Sequence, residues 1–115
     1  MKFQPNEIIA SFDQYLDAQA LSYEAIVIGG AALSLLGVIT RTTRDVDLLN
    51  SPIPPIIGRH AKLFAHAEGL AENWLNDAPQ SLKKELPPGW EFRVQKVYQG
   101  SALTLWTLAR PDLIV

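Results

Sequence analysis

The stretch AIVIGGAALSLLGVITRTTRDVDLL, residues 25–49, decides the predicted fold. Its apolar, β-branched start predicts a buried strand over residues 24–28. The strand stops at Gly29-Gly30, and residues 31–36 then favour a short helix that Gly37 ends. Glycines at such a turn let an anion such as phosphate approach the backbone, and the free N–H groups of a helix start favour it. The alternative is that the two glycines form only a tight turn.

Two carboxylates follow on a second predicted strand, residues 45–49. Residues two apart on a strand point to the same face, so Asp45 and Asp47 converge on one side. Paired carboxylate oxygens suit Mg²⁺ or Mn²⁺, and Mg²⁺ typically uses one or two carboxylates plus substrate phosphates. The alternative is an ordinary solvated pair, or a pair bridged to Arg41 or Arg44.

The residues between the glycines and the carboxylates offer further candidate ligands for phosphate. Arg41 and Arg44 could contact a phosphate or could anchor the loop. Ser34 lies one helical turn past Gly30, where its hydroxyl could reach a phosphate. A hydroxyl bonded to its own helix backbone is the other interpretation.

Helices are predicted on both sides of this stretch. An amphipathic pattern predicts a helix over residues 7–20 with Asn6 as its N-cap, and a second helix over residues 56–69. Residues 70–77 are predicted as a turn or a short helix. Residues 80–86 are predicted as one further helical turn.

The end of the chain predicts two more strands. Residues 90–98 alternate in polarity, and residues 102–108 follow after turn residues, so together they predict a β-hairpin. The expected fold class is therefore α/β (α+β), with a small mixed β-sheet and helices packed on it. We expect residues 1–115 to form a single domain, and Pro111-Asp112 looks like the start of an element that has no room to form.

Composition excludes several classes of function. Ten Lys and Arg against twelve Asp and Glu give a net charge of −2, whereas a protein that coats nucleic acid should be far more basic. The absence of cysteine excludes disulfides, thiolate metal sites and cysteine nucleophiles. No apolar run reaches the ~20 residues of a membrane helix, and the start of the chain lacks the core of a signal peptide. We therefore expect a cytoplasmic protein with no membrane partner.

Residues 26–49 resemble the signature of the DNA polymerase β-like nucleotidyltransferase superfamily. That signature is an apolar strand, Gly-Gly or Gly-Ser, a short helix, and Asp-apolar-Asp on the next strand. The sequence motifs Gly-Gly-Ala-Ala-Leu and Arg-x-Thr-x-Asp-x-Asp-Leu are most similar to those of the AbiEii-like branch. This branch includes proteins of abortive-infection and toxin–antitoxin systems and many uncharacterised bacterial relatives. The resemblance implies a minimal nucleotidyltransferase fold.

The resemblance also implies roles for individual residues. Gly29 and Gly30 would cradle a nucleoside triphosphate, while Asp45 and Asp47 would hold Mg²⁺ at the catalytic centre. A third catalytic carboxylate is expected on a later strand, for which Glu91 is the best candidate because it alternates away from its apolar neighbours.

Each candidate for the third carboxylate also has a non-catalytic interpretation. Glu91 could be a surface residue paired with Arg93 or Lys96. Asp77 and Asp112 are weaker candidates, because each reads more naturally as a cap or turn residue.

The implied activity is transfer of a nucleoside monophosphate to a hydroxyl of a protein, an RNA or a small molecule by metal-assisted in-line displacement. Relatives carry a further helical part that helps to hold substrate, and we expect it to be missing here. The alternative is a degenerate domain that has lost catalysis and acts as an antitoxin or protein-interaction module, as a homodimer or with a partner protein. A third hypothesis is an unrelated α/β binding module in which Asp45 and Asp47 serve only structure.

Overall fold

The computed structural model describes residues 2–38, 40, 42–49, 53–77, 86 and 88–108. The helices are α1 (Pro5–Ala18), α2 (Gly29–Leu35) and α3 (Pro55–Glu68), and a short 3₁₀ helix spans Trp90–Arg93. The strands are β1 (Tyr23–Ile28), β2 (Val46–Leu48), β3 (Leu75–Asn76), β4 (Gln95–Gln99) and β5 (Leu103–Thr107). Arg41, Asp112 and all but the last residue of the predicted turn at 80–86 lie outside the described residues.

The five strands form one mixed sheet in the order β3-β2-β1-β5-β4. The central strand β1 runs antiparallel to β2 and parallel to β5. The end of β1 and the start of β2 therefore lie at the same edge of the sheet. With three helices, this arrangement confirms the predicted α+β class and is consistent with a minimal nucleotidyltransferase fold.

One face of the sheet forms the core with the helices. Val27 and Leu48, in register on β1 and β2, are fully buried in one cluster with residues of α1 and α3. Trp74 is also fully buried; its indole N–H donates to the carbonyl oxygen of Ala61 at 3.0 Å, and its ring meets the ring of Phe12 edge-on at 5.0 Å. Trp74 is thus a core residue. Within the described residues, no helix combines the length and apolar character that a membrane crossing requires.

The start of α1 differs from the prediction. The helix begins at Pro5 rather than at residue 7, and Gln4 rather than Asn6 is the N-cap. Proline favours the first helical position because its fixed φ suits the helix and its missing N–H is not needed there. Asn6 therefore lies in the first turn, where its side chain becomes available for a tertiary contact.

The segment after α3 was predicted as a turn or short helix and instead contains β3. Leu75 and Asn76 pair in parallel with Val46 and Asp47 of β2. The backbone N–H of Val46 also donates to the carbonyl oxygen of Trp74. Two residues are too few to show a periodic pattern, so only the neighbouring strand makes this segment extended.

The strand predicted over residues 90–98 is wrong for its first four residues. Gly89 takes a left-handed conformation with φ of +81°, and the N–H of Phe92 donates to its carbonyl oxygen at 3.0 Å. The Arg93 guanidinium also donates to the carbonyl oxygen of Pro88 at 3.1 Å. These local bonds wind Trp90–Arg93 into a 3₁₀ helix, although its polarity alternates as in a strand.

Replacing Tyr23 with phenylalanine is expected to raise the free energy of unfolding by about 1 kcal/mol. The Tyr23 hydroxyl is buried without a hydrogen-bond partner among the described residues, and its burial, together with the charge of Asp77, raises the pKa of Tyr23 to about 12. Removing the hydroxyl removes this desolvation cost while the ring stays in place. Urea unfolding of both proteins measures the difference; a less stable variant would show that the hydroxyl is satisfied by bound water.

Candidate functional site

The glycine turn and the carboxylate strand meet at one edge of the sheet. Ile28, the last residue of β1, lies opposite Asp47 of β2. The chain then turns through Gly29, which has a φ of +76°. A Cβ atom built on Gly29 would lie only 3.1 Å from Oδ2 of Asp47. Glycine is needed here both for the left-handed backbone and for the close approach of the carboxylate.

The carboxylate of Asp47 is held from its other side. The side-chain amide of Asn76 donates a hydrogen bond to Oδ1 of Asp47 at 2.9 Å. Oδ1 therefore faces β3, while Oδ2 faces the glycine turn. Asp47 itself is half-buried, whereas Val46 and Leu48 on either side are fully buried in the core. This confirms the predicted alternation, in which Val46 and Leu48 face the opposite side of the strand from Asp47.

Asp45 lies immediately before β2 on an exposed part of the chain. The loop that carries it is anchored, because Thr43 and Phe3 exchange two backbone hydrogen bonds of 2.7 and 2.9 Å. Partial burial and the negative charge of Asp47 raise the pKa of Asp45 above its usual value. The two negative charges repel each other, and a cation between Asp45 and Asp47 would remove that repulsion. The carboxylate oxygens of the pair therefore fit a hard divalent metal such as Mg²⁺.

The salt-bridge alternative for the aspartate pair is tested only for Arg44, because Arg41 lies outside the described residues. Arg44 is exposed and forms no ion pair with Asp45 or Asp47. Neither aspartate therefore engages Arg44, as the phosphate-contact hypothesis requires.

Ser34 has a different role from either one predicted. Its hydroxyl is buried and donates to the side-chain carbonyl oxygen of Asn6 on α1 at 2.8 Å. This bond joins α2 to α1. Ser34 therefore holds in place the helix that begins at Gly29. Gly30, in contrast, is exposed at the turn, where a phosphate could approach it.

The structure does not bring Glu91 to the aspartates. The strand alternation that nominated Glu91 is absent, because Glu91 lies exposed on the 3₁₀ helix Trp90–Arg93 before β4. Strand β4 is three positions from β2, about 14 Å across the sheet. Asp77 lies much closer, directly after β3, but its Oδ2 accepts the backbone N–H of Ile53 at 3.0 Å. Within the described part of the chain, no group of three His, Cys, Asp or Glu residues could hold a metal.

Two important polar residues were not found from the sequence. Asn76 has no motif around it, and its contact with Asp47 depends on the pairing of β2 with β3. The helical pattern puts Asp13 on the side opposite the apolar stripe, yet it is buried and accepts backbone N–H groups at the β4–β5 turn. The helical pattern does not predict that Asp13 is buried, because the hydrogen-bond donors to its carboxylate lie about 90 residues away in the chain.

Replacing Gly29 with alanine is expected to weaken metal binding and to cost about 1–2 kcal/mol of stability through its left-handed backbone. Gly37 is the matched control, because it has a similar φ of +78° but nothing lies within 4 Å of its Cβ position. Gly37→Ala should cost the same stability and leave binding of Mn²⁺ unchanged. Mn²⁺ titration and thermal unfolding of both variants check this; equal binding by the two would show that the contact with Asp47 is unimportant.

Comparison with known proteins supports the nucleotidyltransferase assignment at the level of a family. Neither the curated proteins nor the solved structures include a match to this chain. A family model described as "Nucleotidyltransferase of unknown function (DUF6036)" matches residues 6–115, nearly the whole chain. The match includes the glycine turn, the aspartate pair and β3. The chain therefore belongs to this family of nucleotidyltransferases of unknown function.

Proposed function

We propose that this protein binds a nucleoside triphosphate with Mg²⁺ or Mn²⁺ and transfers the nucleoside monophosphate to a hydroxyl acceptor. The observation that carries the proposal is the meeting of Gly29 with Asp47 at one edge of the sheet, at 3.1 Å from a built Cβ to Oδ2. The family match supports the general activity. We also propose that the protein belongs to the AbiEii-like branch, because of the sequence motifs around the glycine pair and the aspartate pair.

Each residue at this edge has a role in the proposal. Asp45 and Asp47 would hold the metal ion, which when bound would neutralise phosphate charge and lower the pKa of an attacking hydroxyl. The turn at Gly29 and Gly30 would admit phosphate oxygens to the backbone, because neither residue carries a side chain. Arg44 would bind a phosphate through its guanidinium fork, which suits phosphate geometry.

The test is a calorimetric titration of the four ribonucleoside triphosphates, with and without Mg²⁺. The control is the double variant Asp45→Asn/Asp47→Asn. Metal-dependent binding that disappears in the double variant would support the proposal and would also identify the preferred base. Binding that survives in the double variant, or no binding under any condition, would contradict it.

A second candidate function is a catalytically degenerate domain that acts as an antitoxin or protein-interaction module. Two observations on the described residues favour it: they contain no third carboxylate beside the pair, and Phe92 is 91% exposed on the 3₁₀ helix before β4. Aromatic side chains are enriched at protein–protein interfaces relative to the rest of the surface. Sedimentation of the wild type and of Phe92→Ser distinguishes the candidates: a dimer or partner complex lost in the variant favours the interaction module.

A further inference from the structure

We propose that Asn76 is the positioning residue of the metal site: its side-chain amide orients Asp47 so that Oδ2 faces the glycine turn. The inference rests on the proposed function, because it assumes that Asp47 holds a metal. It goes beyond that function in assigning a role to a residue outside both sequence motifs.

The position of Asn76 comes from the pairing of two neighbouring strands. Asp47 and Asn76 are in direct register across the parallel pair β2–β3, so their side chains leave the sheet on the same face. The amide nitrogen of Asn76 lies 2.9 Å from Oδ1 of Asp47. A carboxylate bonded at one oxygen cannot rotate freely, and the second oxygen keeps one direction.

The two carboxylate oxygens of Asp47 have different neighbours. Oδ1 is engaged by Asn76, and Oδ2 lies close to the backbone of Gly29, where an added Cβ would stand only 3.1 Å from it. Partners that hydrogen-bond a ligating carboxylate orient it, and their loss typically costs 10–100-fold in metal affinity. Asn76 is such a partner of Asp47, because it donates to the carboxylate that would hold the metal.

The chemistry of an amide also matters at this position. Asp45 and Asp47 lie two residues apart in the chain, and two neighbouring ionised carboxylates repel each other without a cation. An acid in place of Asn76 would add a third negative charge and would offer no donor while ionised. The amide donates a proton to Asp47 and adds no charge, so it orients the pair without increasing the repulsion.

Asp77, the acidic residue next to Asn76, does not orient Asp47. Asp77 follows Asn76 directly, just after β3 ends. Its Oδ2 accepts the backbone N–H of Ile53 at 3.0 Å and so fixes the start of α3 to the end of β3. Asp77 therefore serves the packing of that edge, whereas Asn76 serves Asp47.

The experiment measures binding of Mn²⁺ alone, from the loss of the free-ion electron paramagnetic resonance signal. The variant is Asn76→Leu, which is close in shape and has no donor; the matched control is Asn73→Leu, at an exposed asparagine in the turn before β3. We expect Asn76→Leu to lower Mn²⁺ affinity by about tenfold or more. Asn73→Leu should bind as the wild type does.

A double-mutant cycle with Asp47→Asn separates positioning from general packing. If Asn76 acts only through Asp47, Asn76→Leu should cause no further loss of affinity in the Asp47→Asn background. Thermal unfolding of each apo protein shows whether the variants are folded, and Asn76→Ser, which is smaller and polar, serves if Asn76→Leu does not fold.

The outcomes are distinguishable. Wild-type affinity in Asn76→Leu, or a tenfold loss that persists in the Asp47→Asn background, would overturn the role of Asn76 and leave the proposed function standing. Absence of Mn²⁺ binding by the wild type would overturn both.

Discussion

Replacing Asp13 with alanine is expected to lower the free energy of unfolding by about 3 kcal/mol. The Asp13 carboxylate accepts backbone N–H groups from Ser101, Ala102 and Leu103 at 3.2, 2.8 and 2.7 Å. It therefore ties α1 to the turn between β4 and β5. Without it, two buried N–H groups would lose their acceptor, which costs more than the hydrogen bonds themselves contribute.

The same contact predicts a dependence on pH. Burial alone would raise the pKa of Asp13, but hydrogen bonds from the three backbone N–H groups and the Tyr98 hydroxyl bring it below its usual value. A carboxyl whose pKa is lowered by folding stabilises the fold above its unfolded pKa, about 3.9. That contribution should be lost as the pH falls through the lower folded pKa. Asp13→Ala should lack this acid-dependent part of the stability curve.

Asp17 is the matched control, because it lies one turn further along α1 and is exposed. Urea unfolding should show little change for Asp17→Ala. A second variant tests the contact from the other side: a Cβ on Gly100 would fall inside the Asp13 carboxyl group, so Gly100→Ala should cost about 2 kcal/mol. The costs of Asp13→Ala and Gly100→Ala should not add in the double variant. A stability equal to wild type in Asp13→Ala would contradict the anchoring role.

Replacing Asp45 with asparagine is expected to have opposite effects on binding and on stability. Metal-dependent nucleotide affinity should fall by more than about 100-fold, beyond the range typical of outer partners, because a direct ligand is lost. The apo protein should be as stable as the wild type or more stable. Residues that hold a ligand are commonly unfavourable for the fold alone.

The sign of the stability change follows from the pKa of Asp45. Burial and the charge of Asp47 raise this pKa, so the folded protein binds the proton more tightly than the unfolded chain. Stability contributed in this way is present at low pH and declines as the pH rises through the usual and then the raised pKa. At neutral pH the charged form remains and is disfavoured, and asparagine removes that charge.

Calorimetry of nucleotide binding and thermal unfolding of the apo protein check the two effects separately. Asp17→Asn, at an exposed position on α1, controls for the general loss of one negative charge. A clear fall in the melting temperature of Asp45→Asn with unchanged binding would mean that Asp45 serves structure only.

Local sequence patterns were sufficient for the central part of the fold and for nominating the residues of the candidate site. The apolar run of β1, the two glycines, and the alternation around Asp45 and Asp47 are signals carried by adjacent residues. Their meaning depends on backbone geometry alone, because a strand alternates its side chains and glycine permits a positive φ. The structure accordingly has β1, α2 and β2 close to their predicted places.

Local patterns failed where a distant segment decides the conformation. β3 is extended because β2 lies beside it. The alternation of Trp90–Arg93 failed for a different reason, because the left-handed Gly89 and local hydrogen bonds wind this segment into a 3₁₀ helix. The partners of Asp13 and Asn76 are far away along the chain, so nothing near either residue indicates its role.

The sequence by itself thus determined the residues of the candidate site, a glycine pair and a carboxylate pair, and a resemblance to nucleotidyltransferases that the family match supports. Only the tertiary structure decided how these residues are arranged, with Gly29 against Oδ2 of Asp47 and Asn76 on Oδ1. The physical reason is that residue types and their spacing encode local geometry, whereas a hydrogen bond between separate strands exists only after the sheet has formed.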